Sequence, residues 1–189
     1  LLHEIEHLAN RLPLRPKLHS IFFGGGTPSL MPPSIVAAVI NRANQIFDFE
    51  DGIEITTEAN PTSVEAANLA AFRGAGVNRV SLGVQSLSDT QLRFLGREHS
   101  VKESLAALDT IRQIFDRVSI DLIYGLPDQS LSSWTSTMQT VLDLGLDHLS
   151  LYQLTIESGT AFYSRAQRGA ILTGPDDVVA GLFTITNDM

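Results

Sequence analysis

The stretch FFGGGTPSL, Phe22–Leu30, decides the fold because it places three consecutive glycines directly after an apolar run. Glycine destabilises a regular element because it loses more backbone freedom on folding than any other residue. Three glycines together therefore indicate a turn at the end of a strand, where a ligand approaches bare backbone. A tight turn of positive-φ glycines without a ligand is the alternative interpretation. The spacing is not G-x-G-x-x-G, so the dinucleotide-binding fingerprint is not met.

The composition of the 189 residues is that of an ordinary globular protein, with 43% hydrophobic and 18% charged residues. A net charge of -8 argues against a nucleic-acid partner, which favours a basic surface. No apolar run reaches the roughly 18 residues of a membrane span, and the N-terminal pattern is not that of a secretory signal. These features predict a cytoplasmic protein. The absence of cysteine excludes disulfides and thiolate metal ligands within these residues.

Outward from the glycines, apolar runs alternate with segments of helical periodicity. Strands are predicted at residues 18–23, 53–58, 77–86, 117–125 and 147–156. The first of them is predicted to be a buried strand. Helices are predicted at residues 1–12, 33–47, 62–74, 100–115 and 130–144. Thr62 and Glu65 have the spacing of a capping box. Strands that alternate with helices favour a parallel sheet.

No linker or shift in composition interrupts this alternation, so a single domain is predicted. It consists of an N-terminal helix and linker (residues 1–17), five strand–helix units (18–156) and the start of a following region (157–189).

Each strand is followed by an unusual exit: GGGTP, EANP, GVQS, YGLP and QLTIE. In a (β/α) barrel the carboxyl ends of all strands meet at one face, so five such exits would form one pocket. An open doubly wound sheet would concentrate its site at one switch point between strands. The distribution favours an α/β barrel, or an incomplete one.

Polar side chains at these exits are candidate ligand-binding residues. Glu58 ends a strand on the same face as Thr56 and Glu54; its carboxylate could accept from hydroxyls or an ammonium group, or cap the next helix. Gln85 ends SLGVQ, where a buried amide needs partners; satisfaction within the core is the alternative.

Asp121 lies inside the apolar run VSIDLIYGL. A buried carboxylate without partners costs several kcal/mol or takes up a proton. Asp121 is therefore expected to pair with a basic side chain such as Arg97, or to face a ligand.

Neither a metal ligand nor a catalytic residue is assigned from the sequence. The histidines have no metal-ligand spacing, and most are predicted to lie at the surface: His3, His7, His19, His99 and His148. No carboxylate completes a zinc site around the pair on the first helix. Trp134 is expected to serve in packing.

Six segments, in this order and spacing, resemble the radical SAM core of the oxygen-independent coproporphyrinogen III oxidase family: FFGGGTPSL, TTEANPTS, GVNRVSLGVQSL, LGREHS, IDLIYGLPDQS and LSLYQLTIESGT. The resemblance covers nearly the whole chain and implies a partial (β/α)6 barrel. Within the family, LYQLTIE followed by GT resembles the HemW branch, whose members are understood as heme chaperones.

The resemblance implies that nine residues bind S-adenosylmethionine: Gly24, Gly25, Gly26, Thr27, Glu58, Gln85, Arg97, Asp121 and Thr155. The glycine-rich exit would contact the methionine part through backbone groups, and Glu58 would bind the same molecule. Gln85, Arg97 and Asp121 match positions that contact a second S-adenosylmethionine in the oxidase branch. Thr155 matches a backbone contact near the adenine.

Family members also carry a CxxxCxxC motif, whose thiolates hold three irons of a [4Fe–4S] cluster while S-adenosylmethionine binds the fourth. Because this chain has no cysteine, the cluster loop and the first barrel strand are expected upstream of Leu1. The heme-ligating histidine motif of the chaperone branch is expected beyond Met189. These residues alone are expected neither to hold the cluster nor to cleave the cofactor.

Three function classes follow, and enzymatic activity is left open between them. The favoured one is a heme chaperone that passes heme to an accepting protein. The second is the oxidase, which converts two propionates of coproporphyrinogen III to vinyl groups; the acidic chain shows no basic patch for those carboxylates. The third is a barrel that holds no cluster and acts as a binding module. The absence of cysteine is consistent with this class.

Overall fold

The computed structural model describes the backbone of residues 1–189 and all side chains except those of residues 63–67. The strands are β1 Leu18–Phe23, β2 Phe49–Ala59, β3 Arg79–Gln85, β4 Arg117–Tyr124 and β5 His148–Gln153. The helices are α1 Leu2–Ala9, α2 Pro33–Ile46, α3 Ser63–Ala75, α4 Asp89–Phe94, α5 Val101–Arg112, α6 Leu131–Asp143, α7 Ala161–Gln167 and α8 Asp176–Asp188. A 3₁₀ turn, Pro28–Leu30, follows the glycines.

All five predicted strands and all five predicted helices are present. The strand β2 begins at Phe49 rather than at Ile53, and α1 ends at Ala9. Two helices were not predicted: α4 and α7. They have six and seven residues, too few for a helical period to be recognised. Glu65, the predicted capping partner of Thr62, lies outside the described side chains.

Local sequence explains where the helices begin. Pro33 occupies the first turn of α2, where its missing N–H breaks no helical hydrogen bond. Ser130 caps α6: its hydroxyl accepts from the Ser133 N–H at 3.1 Å, and the Ser133 hydroxyl accepts from the Ser130 N–H at 3.0 Å. This reciprocal pair satisfies two backbone donors that the helix cannot.

The sheet has the strand order β1-β2-β3-β4-β5, so every strand neighbours the next one in sequence. β1 pairs with β2 in parallel, with Phe22 opposite Thr56 and Phe23 opposite Thr57. β2 pairs with β3 in parallel, with Thr56 opposite Arg79 and Glu58 opposite Ser81. The register places the exit of β1 beside Glu58.

Contacts divide the chain into two compact units. The first unit comprises residues 1–83 and 102–119, and the second comprises residues 84–101 and 120–189. The three boundaries fall inside β3, at the start of α5 and inside β4 rather than in a linker. The prediction of a single domain stays a prediction.

In the first unit, α2 and α3 pack against each other. Val36, Leu69, Phe72 and Val80 are fully buried there. β1 differs from its prediction as a buried strand, because only Phe23 is buried and Phe22 is 57% exposed. β1 lies at the end of the strand order and pairs along one side with β2, which leaves much of its surface uncovered.

In the second unit, α6 packs against α8. Trp134 is buried and its ring lies 5.5 Å from that of Tyr124. The indole N–H donates to the Thr186 hydroxyl at 2.8 Å, which confirms the packing role predicted for Trp134. Among the helices described, none combines the length and apolar character needed to cross a membrane.

Candidate functional site

The glycine-rich exit of β1 is an open turn in the first unit. Gly25 and Gly26 have φ of +86° and +61°, and a Cβ built on either residue would meet no atom within 4 Å. Backbone conformation, rather than crowding, therefore requires glycine at these two positions. Their positive φ values fit the tight turn given as the alternative interpretation, and the open space beside them leaves room for a ligand, which stays a prediction.

At Gly24 a side chain would be crowded by neighbouring side chains, and its backbone does not have positive φ. A Cβ there would lie 2.8 Å from Cε1 of Phe22 and 3.3 Å from Oε1 of Glu58. The phenyl ring and the carboxylate thus both lie against the bare backbone of Gly24. A larger residue would displace one of the two groups.

Glu58 is half-buried near the end of β2, and its carboxylate reaches the turn. The Gly25 N–H donates to Oε2 of Glu58 at 3.1 Å. The backbone N–H of Gly25 is therefore already used by Glu58. A carboxylate has about four acceptor positions, so Glu58 keeps acceptor capacity for a ligand.

Thr27 is half-buried and leads into the 3₁₀ turn. Its carbonyl accepts from the Leu30 N–H at 3.1 Å, and the next two residues, Pro28 and Ser29, are buried. The turn is therefore anchored on its C-terminal side, which limits how far Gly26 and Thr27 can move.

A polar network that sequence reasoning missed lies on the same face of the sheet. Arg79, whose side chain is 11% exposed, donates to the Ser119 hydroxyl at 2.8 Å and to the Thr56 hydroxyl at 3.3 Å. Glu54 lies 3.6 Å from Arg79 and 2.6 Å from Arg117. The signal was present as polar residues at alternate positions of three strands, the pattern of one sheet face.

In the second unit, Gln85 is the last residue of β3 and is half-buried. Its φ is +66°, and it is the one non-glycine residue with positive φ in the part of the chain that the structure describes. Such a conformation is strained for a side chain that lacks the local hydrogen bonds of Asn or Asp. Strain of this kind is found at functional sites.

Arg97 is half-buried in the loop between α4 and α5. The loop begins with a Schellman motif, in which Gly96 has φ of +70°. Its two hydrogen bonds run from the Gly96 N–H to the Arg93 carbonyl at 3.1 Å and from the Arg97 N–H to the Leu92 carbonyl at 2.9 Å. The backbone of Arg97 is fixed by the end of α4.

Asp121 and Thr155 also lie in the second unit. Asp121 was expected to be buried and is instead half-buried in β4; alternate residues of this strand are less tightly covered than the apolar run suggested. Thr155 was placed inside a strand, but β5 ends at Gln153 and Thr155 is exposed in the segment that follows.

The prediction that most histidines lie at the surface is confirmed, since four of the five are exposed, and His99 is the exception. The residue is half-buried, and its Nε2 lies 3.1 Å from the Val84 carbonyl oxygen. No sequence signal indicated this contact, because a backbone carbonyl offers no residue type to recognise.

The predicted residues thus fall into two groups. Gly24, Gly25, Gly26, Thr27 and Glu58 lie together in the first unit, and Gln85, Arg97, Asp121 and Thr155 belong to the second. Within the described part of the chain, no cluster of three or more His, Asp or Glu side chains is arranged to hold a metal ion. With no cysteine in the sequence, these residues do not fit an iron–sulfur cluster as ligands.

Comparison with known proteins agrees with the resemblance read from the sequence. The family model described as Radical SAM superfamily matches residues 1–141. The "Radical S-adenosyl methionine domain-containing protein 1, mitochondrial" of Bos taurus is 47% identical over 165 residues, 87% of this chain and 37% of that protein.

Bacterial relatives are similar at somewhat lower identity. The "Heme chaperone HemW" of Haemophilus influenzae is 42% identical over 79% of this chain and 39% of that protein. The HemW of Mycobacterium tuberculosis is 36% identical over 97% and 47%. The chain spans less than half the length of these curated relatives.

Among solved structures, the coproporphyrinogen III oxidase (HemN) of Escherichia coli, described as a radical SAM enzyme, superimposes with a TM-score of 0.77 at 28% identity. The match covers 99% of this chain and 43% of that one. The archaeal Elp3 of Methanocaldococcus infernus, with a TM-score of 0.73 at 18% identity over 100% of this chain and 49% of that one, shares the fold. The predicted fold class, a partial radical SAM barrel of parallel strands, is confirmed.

Proposed function

Because this chain belongs to the radical SAM superfamily, we propose that it forms the S-adenosylmethionine-binding part of a heme chaperone of the HemW type. The segment LSLYQLTIESGT and the several relatives named heme chaperone HemW support this branch. We propose heme binding, chaperone activity and a heme-accepting partner for the whole protein, of which this chain is a part.

The hydrogen bond between the Gly25 N–H and the Glu58 carboxylate carries the proposal. It holds a negative charge beside an open turn whose glycines leave room for a ligand at the backbone. An α-ammonium group is the complementary partner of such a carboxylate. The zwitterionic methionine end of S-adenosylmethionine supplies that group together with a carboxylate for backbone donors.

The residues of the second unit would recognise S-adenosylmethionine in a separate way. Gln85 offers an amide that donates and accepts, Arg97 a guanidinium fork suited to a carboxylate, and Asp121 an acceptor for ammonium or hydroxyl groups. Thr155, being exposed after β5, would offer backbone groups to the adenine.

The iron–sulfur cluster must be held by residues other than these 189, since they include no cysteine. When bound in such proteins, the cluster supplies the electron for reductive cleavage of S-adenosylmethionine. The role of this chain is confined to binding and orienting the cofactor. Iron analysis of the full-length gene product tests this point: ~4 irons per protein are expected for one [4Fe–4S] cluster, whereas an iron-free protein would favour the binding-module alternative.

The experiment that tests the proposed function uses the purified full-length gene product loaded with heme. Transfer of heme to an apo-hemoprotein, without loss of carbon dioxide from coproporphyrinogen III, is expected. Glu58→Gln should weaken S-adenosylmethionine binding measured by calorimetry. A protein that binds neither heme nor S-adenosylmethionine would overturn the proposal.

The oxidase is the second candidate, because the structure superimposes on the E. coli coproporphyrinogen III oxidase over 99% of the chain. Carbon dioxide release and conversion of two propionates to vinyl groups in the same assay would select it. The propionates would require basic residues, and the net charge of the chain, -8, offers little general attraction for them.

The cytoplasmic location predicted from the sequence stays a prediction. Three animal relatives carry the word mitochondrial in their names, which provides a specific alternative. Fractionation of cells that express the full-length gene product, with a cytoplasmic and a mitochondrial marker, separates the two.

A further inference from the structure

The exit of β3 is a strained turn that is held by several hydrogen bonds. The Ser86 N–H donates to the Val84 carbonyl at 3.2 Å, which closes a three-residue turn around Gln85. The φ of +66° at Gln85 is that of the rare, strained form of the γ-turn. A turn of this kind persists only where its surroundings hold it.

The Ser86 side chain provides part of that support. Its hydroxyl donates to the Gln91 Oε1 at 2.5 Å and accepts from the Ser88 N–H at 3.0 Å. These bonds tie the residue after Gln85 to the start of α4. They do not reach the residue before it, Val84.

His99 provides the support on that side. Its Nε2 lies 3.1 Å from the carbonyl oxygen of Val84, a residue that is 1% exposed. A carbonyl only accepts, so the ring donates through an Nε2 proton in both its neutral and its charged form. The oxygen thus receives one bond from Ser86 and one from His99, and loss of the second would leave a buried acceptor undersatisfied.

The same bond fixes the loop that carries Arg97. That loop is held at its start by the Schellman motif at Gly96 and Arg97. It is held at its end by the Val101 N–H, which donates to Asp89 at 2.8 Å. His99 attaches the loop to the end of β3. In sequence, His99 is two residues from Arg97, and its partner Val84 is next to Gln85.

We propose that His99 is a positioning residue: it binds the Val84 carbonyl, keeps Gln85 in its positive-φ conformation, and brings Gln85 and the Arg97 loop together to bind one ligand. The inference rests on the proposed function for the identity of that ligand, S-adenosylmethionine. His99 itself is not expected to touch it.

The test compares two side chains of similar length, one with an N–H donor and one without, in the full-length gene product. His99→Met is expected to weaken S-adenosylmethionine binding about tenfold by calorimetry, the size of one lost hydrogen bond. His99→Gln, which restores a donor, should bind within about threefold of the wild type. His7→Met, at an exposed position of α1, is the control and should bind as the wild type does.

A second comparison asks whether His99 acts through Gln85. Gln85→Gly removes both the side chain and the strain, so His99→Met should lower the affinity less in this background than in the wild type, the remaining loss coming from the Arg97 loop. Losses that add in the double variant, or equal losses for His99→Met and His99→Gln, would overturn the positioning role.

Amide hydrogen exchange separates failure of this inference from failure of the proposed function. His99→Met should speed exchange of the Ser86 amide, and His99→Gln should not. If the wild type binds no S-adenosylmethionine but the Ser86 amide responds, the positioning of the turn stands and the assigned ligand is wrong. If His99→Met leaves Ser86 exchange unchanged, the positioning role is wrong whether or not S-adenosylmethionine binds.

Discussion

The Gly25 N–H donates to the Glu58 carboxylate at 3.1 Å, although the two residues are 33 positions apart in the chain. The bond joins the exits of neighbouring parallel strands, β1 and β2. It places a negative charge against a backbone turn that has open space beside it. This arrangement can hold an ammonium group without any side chain from the glycine-rich segment.

Replacement of Glu58 by glutamine tests the charge. The amide of Glu58→Gln keeps an oxygen for the Gly25 N–H but loses the charge offered to a ligand ammonium. Affinity for S-adenosylmethionine is expected to fall by about 10- to 100-fold, the range for a hydrogen bond to a charged group. Calorimetry on the full-length gene product measures it.

Glu4→Gln is the matched control, because it removes the same charge at an exposed position of α1 in the same unit. Its affinity should equal that of the wild type. An equal decrease in both variants would show that net charge, rather than the Glu58 site, sets the affinity.

Replacement of Gly25 by alanine separates backbone strain from ligand contact. Gly25→Ala places a Cβ at φ of +86°, which should lower the free energy of unfolding by about 1–2 kcal/mol. It should also weaken S-adenosylmethionine binding, since the added methyl group enters the open space of the turn. Denaturant unfolding and calorimetry measure the two effects.

Gly145→Ala offers the control, because Gly145 also has positive φ, +64°, with no atom within 4 Å of a built Cβ. It lies just after α6, away from the predicted site residues in sequence. A similar loss of stability with unchanged affinity is expected. A wild-type affinity in Gly25→Ala would contradict a ligand at the glycine turn.

The two arginines that contact Glu54 should contribute unequally to stability. Arg79→Met leaves Glu54 partly buried with one partner fewer and removes donors to Ser119 and Thr56. Breaking such a pair should cost about 3 kcal/mol. Arg117 is 55% exposed, and Arg117→Met should cost less than about 1 kcal/mol.

Urea unfolding of the two variants measures the difference directly. Equal decreases in unfolding free energy for the two variants would mean that burial of the Arg79 side chain does not strengthen its interactions. A double-mutant cycle of Arg79→Met with Ser119→Ala should show coupling, since their side chains are hydrogen-bonded.

Stability at acid pH should depend on Glu6. The hydrogen bond from Arg42, followed by the attraction of its charge, lowers the pKa of Glu6 from 4.5. A lowered pKa means that the folded state binds the proton more weakly than the unfolded state does. The stabilisation is therefore present above pH 4.5 and is lost as the pH falls through the lowered pKa.

Glu6→Gln should remove this part of the pH dependence, so its unfolding free energy should change less between pH 5 and pH 3 than that of the wild type. Glu4→Gln serves again as the control. If the unfolding free energy of Glu6→Gln changes between pH 5 and pH 3 as much as that of the wild type, the contact with Arg42 does not contribute to folding.

Much of the architecture could be predicted because it depends on local patterns. Alternating apolar runs and helical periods predicted all five strands, and three glycines after β1 predicted its exit. The short helices α4 and α7 were missed because six or seven residues show no clear period. The burial of β1 was overestimated because an apolar sequence does not reveal whether both sides of a strand are covered.

The sequence by itself determined the alternation of the five strands with the longer helices and the residue types at each strand exit, since these depend on near neighbours in the chain, and it favoured the barrel. Only the tertiary structure decided the partners: Glu58 for the Gly25 N–H, Ser119 for Arg79 and the Val84 carbonyl for His99. These contacts join residues 15 to 40 positions apart. They depend on strand register and on the path of a loop. A backbone carbonyl or N–H that forms a hydrogen bond with a side chain leaves no trace in the residue type that carries it.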